Sequence, residues 1–177
     1  MISFFEKFFA VTDRFFPKLG RVLGYLALAM IFIQIGLIIF AGVFKMGSIV
    51  MQESLIYINS LVFLAGAGYT LSADEHVRVD IIYREASPRY RAWVNILGCL
   101  FFIAPLMNLI WRTAMPWVKS SWALSEGSID MGGIQAVYLL KSMILIFVIF
   151  VSLAAFVLGA RSLFYLLGKI DAPEGGK

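Results

Sequence analysis

One cysteine and one histidine stand in 177 residues. Cys99 alone forms no internal disulfide, and Cys99 with His76 cannot complete a Cys/His zinc site. A single histidine is also too few for bis-histidine haem ligation. Charge is scarce as well: Asp, Glu, Lys and Arg make up 15% of the chain, against about 25% in ordinary soluble domains. Hydrophobic residues make up 61%. A globule of this size in water leaves roughly a third of its chain's surface exposed, and this composition supplies too little polar cover for that. A disordered tail, a collagen-like fibre and a disulfide-stapled domain are excluded by the same figures. No nucleophile–base pair, glycine-rich phosphate loop or redox motif is present, so no enzyme and no cofactor is expected. The net charge is +4, yet no basic run interleaved with aromatics points to nucleic acid.

What is there is a set of four long uncharged stretches: Val22–Phe44, Ser54–Ala73, Ala92–Trp111 and Ser142–Ala160. A bilayer core of about 30 Å takes roughly 20 helical residues, and each stretch reaches or approaches that length. In lipid the backbone must satisfy its own hydrogen bonds, which selects helices. The runs are continuously apolar, without the alternation of a membrane strand. The expected fold is therefore an all-α membrane protein with four spans in a single membrane domain, residues 1–177.

Lys and Arg set the orientation. With both termini in the cytosol, eleven of the fifteen basic residues lie on that side. The four outside are Lys45, Arg112, Lys119 and Lys141. The positive-inside rule then favours N-in, C-in. Aromatics such as Phe44, Trp111, Trp117 and Trp122 suit the outer interface.

Residues 3–17 look like a separate element. Phe4, Phe5, Phe8, Phe9, Phe15 and Phe16 share one helical face, with Glu6, Lys7, Asp13 and Arg14 opposite. Ser3 and Glu6 make a capping-box pattern, and Pro17 marks the end. The expectation is an amphipathic helix lying in the cytosolic interface. The connection from Arg112 to Lys141 is the longest. Its first part, TAMPWVKSSWAL, carries the third helix beyond the bilayer with a kink at Pro116, turn chemistry fills Glu126 to Gly133, and the tail 171–177 reads as flexible.

None of the four spans holds Asp, Glu, Lys, Arg or His. Proton relays and many ion paths need such groups. The intramembrane polar side chains are Gln34, Asn59, Asn95, Asn108 and some hydroxyls. They either tie helices together or line a solute path. The second span is rich in small residues, among them Gly66, Gly68 and Ser72. Such residues let helices approach closely, whether within the chain or against a larger membrane partner.

Gln52-Glu53 opens the second span, LVFLAGAGYTL fills 61–71, and SADEHVRVDII follows at 72–82. This order resembles the small membrane subunit of tripartite ATP-independent periplasmic (TRAP) transporters, the DctQ-like family. The likeness is strongest over 52–82, with a weaker echo in SWALSEGSIDMGGIQAVYLLK. It implies a non-catalytic small permease subunit of an ion-gradient-driven, binding-protein-dependent importer of an organic acid or similar solute. It implies as partners a large multi-span permease subunit and a periplasmic substrate-binding protein, in the lipid of a bacterial inner membrane. Glu53 matches the acid that starts the family's second span, and Gly66 the glycine at its centre. His76, Arg78 and Asp80 match its H-x-R-x-D-like connector. Gln52 departs from relatives that carry a second acid there.

For Glu53 two physical readings stand. A carboxylate at a helix N-terminus interacts favourably with the dipole, or it bonds to the large subunit. Asp74, Glu75, His76 and Asp80 match no closed ligand set, so no metal is expected and the connector pairs its own charges. If Arg78 contacts the partner, Arg78→Glu should lower uptake by the assembled complex, and unchanged uptake would count against that contact. The rival function is an autonomous small carrier acting as a homodimer, which would need a polar path through the spans.

Overall fold

The computed structural model describes residues 2–45, 47–73 and 87–169. Helix α1 spans Ile2–Val43, α2 spans Ile49–Ser72, α3 spans Pro88–Gly98, α4 spans Ala104–Ala123 and α5 spans Val137–Leu166. A five-residue π-helical turn, Cys99–Ile103, joins α3 to α4. The expected four spans are all present. Four helices, with α3 and α4 counted as one, are long and apolar enough to cross a membrane. No strand occurs among the described residues.

Helix α5 is the hub. It packs on α2, α3 and α4, while α1 packs on α2. The core joins Phe16, Leu71, Met107, Val148, Val151, Ala154 and Ala155. α5 is hydrophobic all round because neighbours or lipid meet every face of it.

The π turn has a local cause. Pro105 has no N–H to give to the carbonyl of Phe101, and its ring would press on that carbonyl. The wider turn shifts the bonding: the Ala104 N–H donates to the Cys99 carbonyl, five residues back. The chain therefore crosses a mid-span proline without breaking. Pro116 likewise lies inside α4, which runs on to Ala123, the continuation expected of the third helix.

The break expected at Pro17 does not occur. α1 runs through Pro17 without interruption, so 3–17 is the first part of a long helix and not a separate element. Tertiary packing overrides the local cost of the proline. Phe16 is 1% exposed and belongs to the core. Phe5 and Phe9 meet the Phe164 ring at 5.2 and 6.2 Å, Phe8 meets Phe156 at 6.1 Å, and Phe15 meets Phe150 at 5.5 Å. Thr12 is buried and donates its hydroxyl to the Phe9 carbonyl at 2.8 Å. The phenylalanine face thus docks on α5.

Arg161 of α5 seals this contact. It reaches both Asp13 carboxylate oxygens at 2.6 and 2.7 Å, and its guanidinium lies 5.0 Å from the Phe9 ring centre. The Asp13 side chain is 55% exposed, so solvent screens the pair. Asp13→Asn should cost no more than about 1 kcal/mol, read as a small fall in thermal midpoint in detergent. A large fall would mean that the charge, and not the aromatic packing, holds the segment.

Candidate functional site

The Asp13–Arg161 pair puts the start of α1 beside the end of α5. At the opposite end of the bundle, Glu53 of α2 meets the connection 124–136. Among the described residues most side-chain polar chemistry gathers at this second, loop end, and Glu53 is its centre.

Glu53 does not cap α2. The helix begins at Ile49 with Ser48 as N-cap, whose hydroxyl accepts from the Met51 N–H at 3.3 Å. Glu53 therefore lies past the first turn, where the dipole has little hold. Its carboxylate turns to the long connection instead. Oε1 accepts from the Ser128 hydroxyl and Oε2 from the Ile134 backbone N–H. A charged acceptor makes each of these bonds stronger than a neutral one. Gly133 is where it is for a steric reason. A Cβ there would run into Ser128 Oγ and Glu53 Oε1.

A second tie holds the same connection from the other side. Glu126 accepts from the Lys141 ammonium and from the Ser121 hydroxyl, the latter at 2.6 Å. Lys141 also lies 4.4 Å from the Trp117 ring centre. The Trp122 indole N–H donates to Ser142 Oγ at 2.8 Å, and its ring meets Tyr138 at 4.6 Å. The connection is therefore pinned to α2, to the end of α4 and to the start of α5.

The Lys141 hydrogen bond, with Ser121, holds the Glu126 carboxyl below its ordinary value of 4.5. A carboxyl depressed on folding contributes stability above its unfolded value, and that contribution is lost as pH falls through the folded value. Protease cleavage within 124–136 should therefore rise as pH drops below 4.5. Glu126→Gln should be cleaved faster at neutral pH and show a flatter pH profile than the unmodified chain. Parallel profiles would show that this tie does not hold the loop.

The two glycines of the second span separate. A Cβ on Gly68 would sit 2.6 Å from Phe150 Cβ and 3.0 Å from the Phe150 carbonyl carbon, so α2 and α5 touch backbone to backbone there. A Cβ on Gly66 would find only Leu23 Cδ1, at 3.8 Å, an ordinary contact. Close approach was expected of this segment, and Gly68 provides it within the chain. His76, Arg78 and Asp80 lie outside the described residues, as do Asp74, Glu75 and the tail 171–177.

Sequence reasoning missed Ser128 and Ile134 as the partners of Glu53, Gly133 as the residue that leaves room for them, and Lys141 as the partner of Glu126. The one signal was the resemblance around SWALSEGSIDMGGIQAVYLLK, which pairs these residues with nothing. Among the described residues no group of three or more His, Cys, Asp or Glu is placed to hold a metal.

These observations define a class: a multi-span helical membrane protein whose described ion pairs secure its own helix ends and loops. Residues 44–165 match the family of tripartite ATP-independent periplasmic transporters, DctQ component. The chain belongs to that family and is the small membrane component of such a transporter. No curated protein and no solved structure matches it. The region that carried the resemblance, 52–82, and the connection pinned by Glu53 both fall inside the matched residues.

Proposed function

We propose that this chain braces the large permease subunit while that subunit moves solute, and conducts nothing itself. The solute is an organic acid or similar small molecule, delivered by a periplasmic binding protein and driven by an ion gradient. Both termini face the cytosol, which places the pinned loop end, with Glu53 and Glu126, at the periplasmic face. The observation that carries the reading is the distribution of charge. The four apolar spans hold no Asp, Glu, Lys, Arg or His, and the described ion pairs, Glu126–Lys141 and Asp13–Arg161, lie at opposite ends of the bundle. Intramembrane ionisable groups are the usual mark of a proton or ion path, and a brace needs none.

The internal architecture fits a rigid part. A backbone-to-backbone contact at Gly68 joins α2 to α5, and the 124–136 loop is tied from both sides. The test is co-purification. With a tagged large subunit co-expressed, this chain should be retained in fixed ratio through detergent washes. Its loss under conditions that keep the large subunit folded would overturn the reading.

A further inference from the structure

Four carboxamides lie within the apolar spans, and the chain itself satisfies two of them. Asn95 Nδ2 donates to the buried Ser162 hydroxyl at 3.5 Å, and Asn108 Oδ1 accepts from Arg112 Nε at 3.0 Å. Gln34 of α1 and Asn59 of α2 are different. Both are exposed, and neither has a hydrogen bond among the described residues. They line one groove between α1 and α2, of about 740 Å³, with Ile31, Ile35, Leu55 and Val62.

Their depth matters. Gln34 stands nine residues before Val43, and Asn59 ten residues after Ile49. At 1.5 Å per residue Gln34 sits about 15 Å from the loop end of its helix and Asn59 about 9 Å past Glu53, so both lie inside a hydrocarbon core of about 30 Å. Lipid chains offer neither donor nor acceptor, so two amides facing them at that depth are left unsatisfied. The most apolar stretch of α1 has no residue buried in the chain, so the rest of the chain covers it little.

We propose that this groove seats a transmembrane helix of the large permease subunit, bearing polar side chains opposite Gln34 and Asn59. The proposal rests on the bracing reading above and names the surface through which it acts. A second copy of this chain fits less well. A two-fold contact would set the same concave surface against itself, and two grooves do not fill each other. Membrane lipid fills the shape but not the hydrogen bonds.

The test uses the full chain co-expressed with the tagged large subunit. A photo-crosslinking p-benzoylphenylalanine replaces Ile35 in the groove, or Phe102, which is 76% exposed on the π turn, as the comparison position. The groove position should give an adduct with the large subunit and the comparison position little or none. In parallel, the double variant Gln34→Leu with Asn59→Leu should lower retention of the chain on the large subunit by about tenfold, on the scale of two lost interhelical hydrogen bonds. The thermal midpoint of the isolated variant should not fall, since neither amide has a partner within the chain. A fall in that midpoint would show that the amides serve the chain's own fold and would overturn the proposal. So would a groove adduct at twice the chain's mass, or one with lipid alone. An adduct only from the Phe102 position would overturn the groove and leave the bracing reading standing. Failure of both adducts together with failure of co-purification would overturn both.

Discussion

Gly68→Leu should separate α2 from α5 and lower the stability of the chain by about 3 kcal/mol or more. Even a lone Cβ at this position would lie 2.6 Å from Phe150 Cβ and 3.1 Å from the Phe150 carbonyl oxygen. Two of the three closest atoms are backbone, which cannot rotate away as a side chain can. The helices must part, and parting them opens the contact between Leu71 and α5 within the core. Gly68→Ala should show a milder form of the same effect, at about 1–3 kcal/mol. Gly66→Ala is the control: its new methyl meets one side-chain atom at 3.8 Å, and alanine is the better helix former by about 1 kcal/mol. Thermal unfolding in detergent should rank Gly66→Ala at or above the unmodified chain, with Gly68→Ala and Gly68→Leu well below. Equal midpoints for the two alanine variants would refute the close crossing at Gly68.

Glu53→Ala should release the 124–136 connection. It removes the acceptor for the Ser128 hydroxyl and for the Ile134 N–H at once. A hydrogen bond to a charged group contributes about 1.5–3 kcal/mol, so the loss should be on the order of 3 kcal/mol. Glu53→Gln should fall between. Its carbonyl oxygen still accepts one bond, but its NH2 meets a donor where the second oxygen stood. The readout is proteolysis at 124–136 in right-side-out membranes, which should rise strongly for Glu53→Ala and moderately for Glu53→Gln. An unchanged pattern would mean that the Glu126 tie alone holds the loop. Gly133→Ala should act in the same direction, by wedging Glu53 and Ser128 apart.

How much of this was legible in the sequence depends on the distance over which each feature acts. The spans follow from local composition, and their helices were read correctly because lipid leaves the backbone no other partner. The continuation of the third helix past Pro116 was legible because turn chemistry begins only at Glu126. Pro17 shows where local rules stop. The proline signals a break, but Phe16 in the core and four aromatic contacts to α5 hold the helix through it. The phenylalanine stripe was visible at once, while the surface it faces was not, since Phe164 and Phe5 are far apart in the chain.

Glu53 is the clearest case. Its acidity and its place at the start of the second span were readable, and both suggested a cap or a partner contact. Its real partners lie 75 and 81 residues further along, and no periodicity links such positions. Gly66 and Gly68 carry the same chemistry two residues apart, so only the crossing of α2 and α5 separates them. In the same way, composition identified Gln34, Asn59, Asn95 and Asn108 as one set of intramembrane amides. The structure divides that set into Asn95 and Asn108, which the chain itself bonds, and Gln34 and Asn59, which it does not.

The central claim is that this chain supports transport without performing it. The direct test is uptake into sealed vesicles under an imposed ion gradient, using the solute that the system's binding protein carries. Vesicles holding this chain alone should take up no more solute than empty ones. Vesicles that also hold the large subunit, with binding protein outside, should accumulate it, and Glu53→Ala should reduce that accumulation. Gradient-driven uptake by this chain alone would contradict the account.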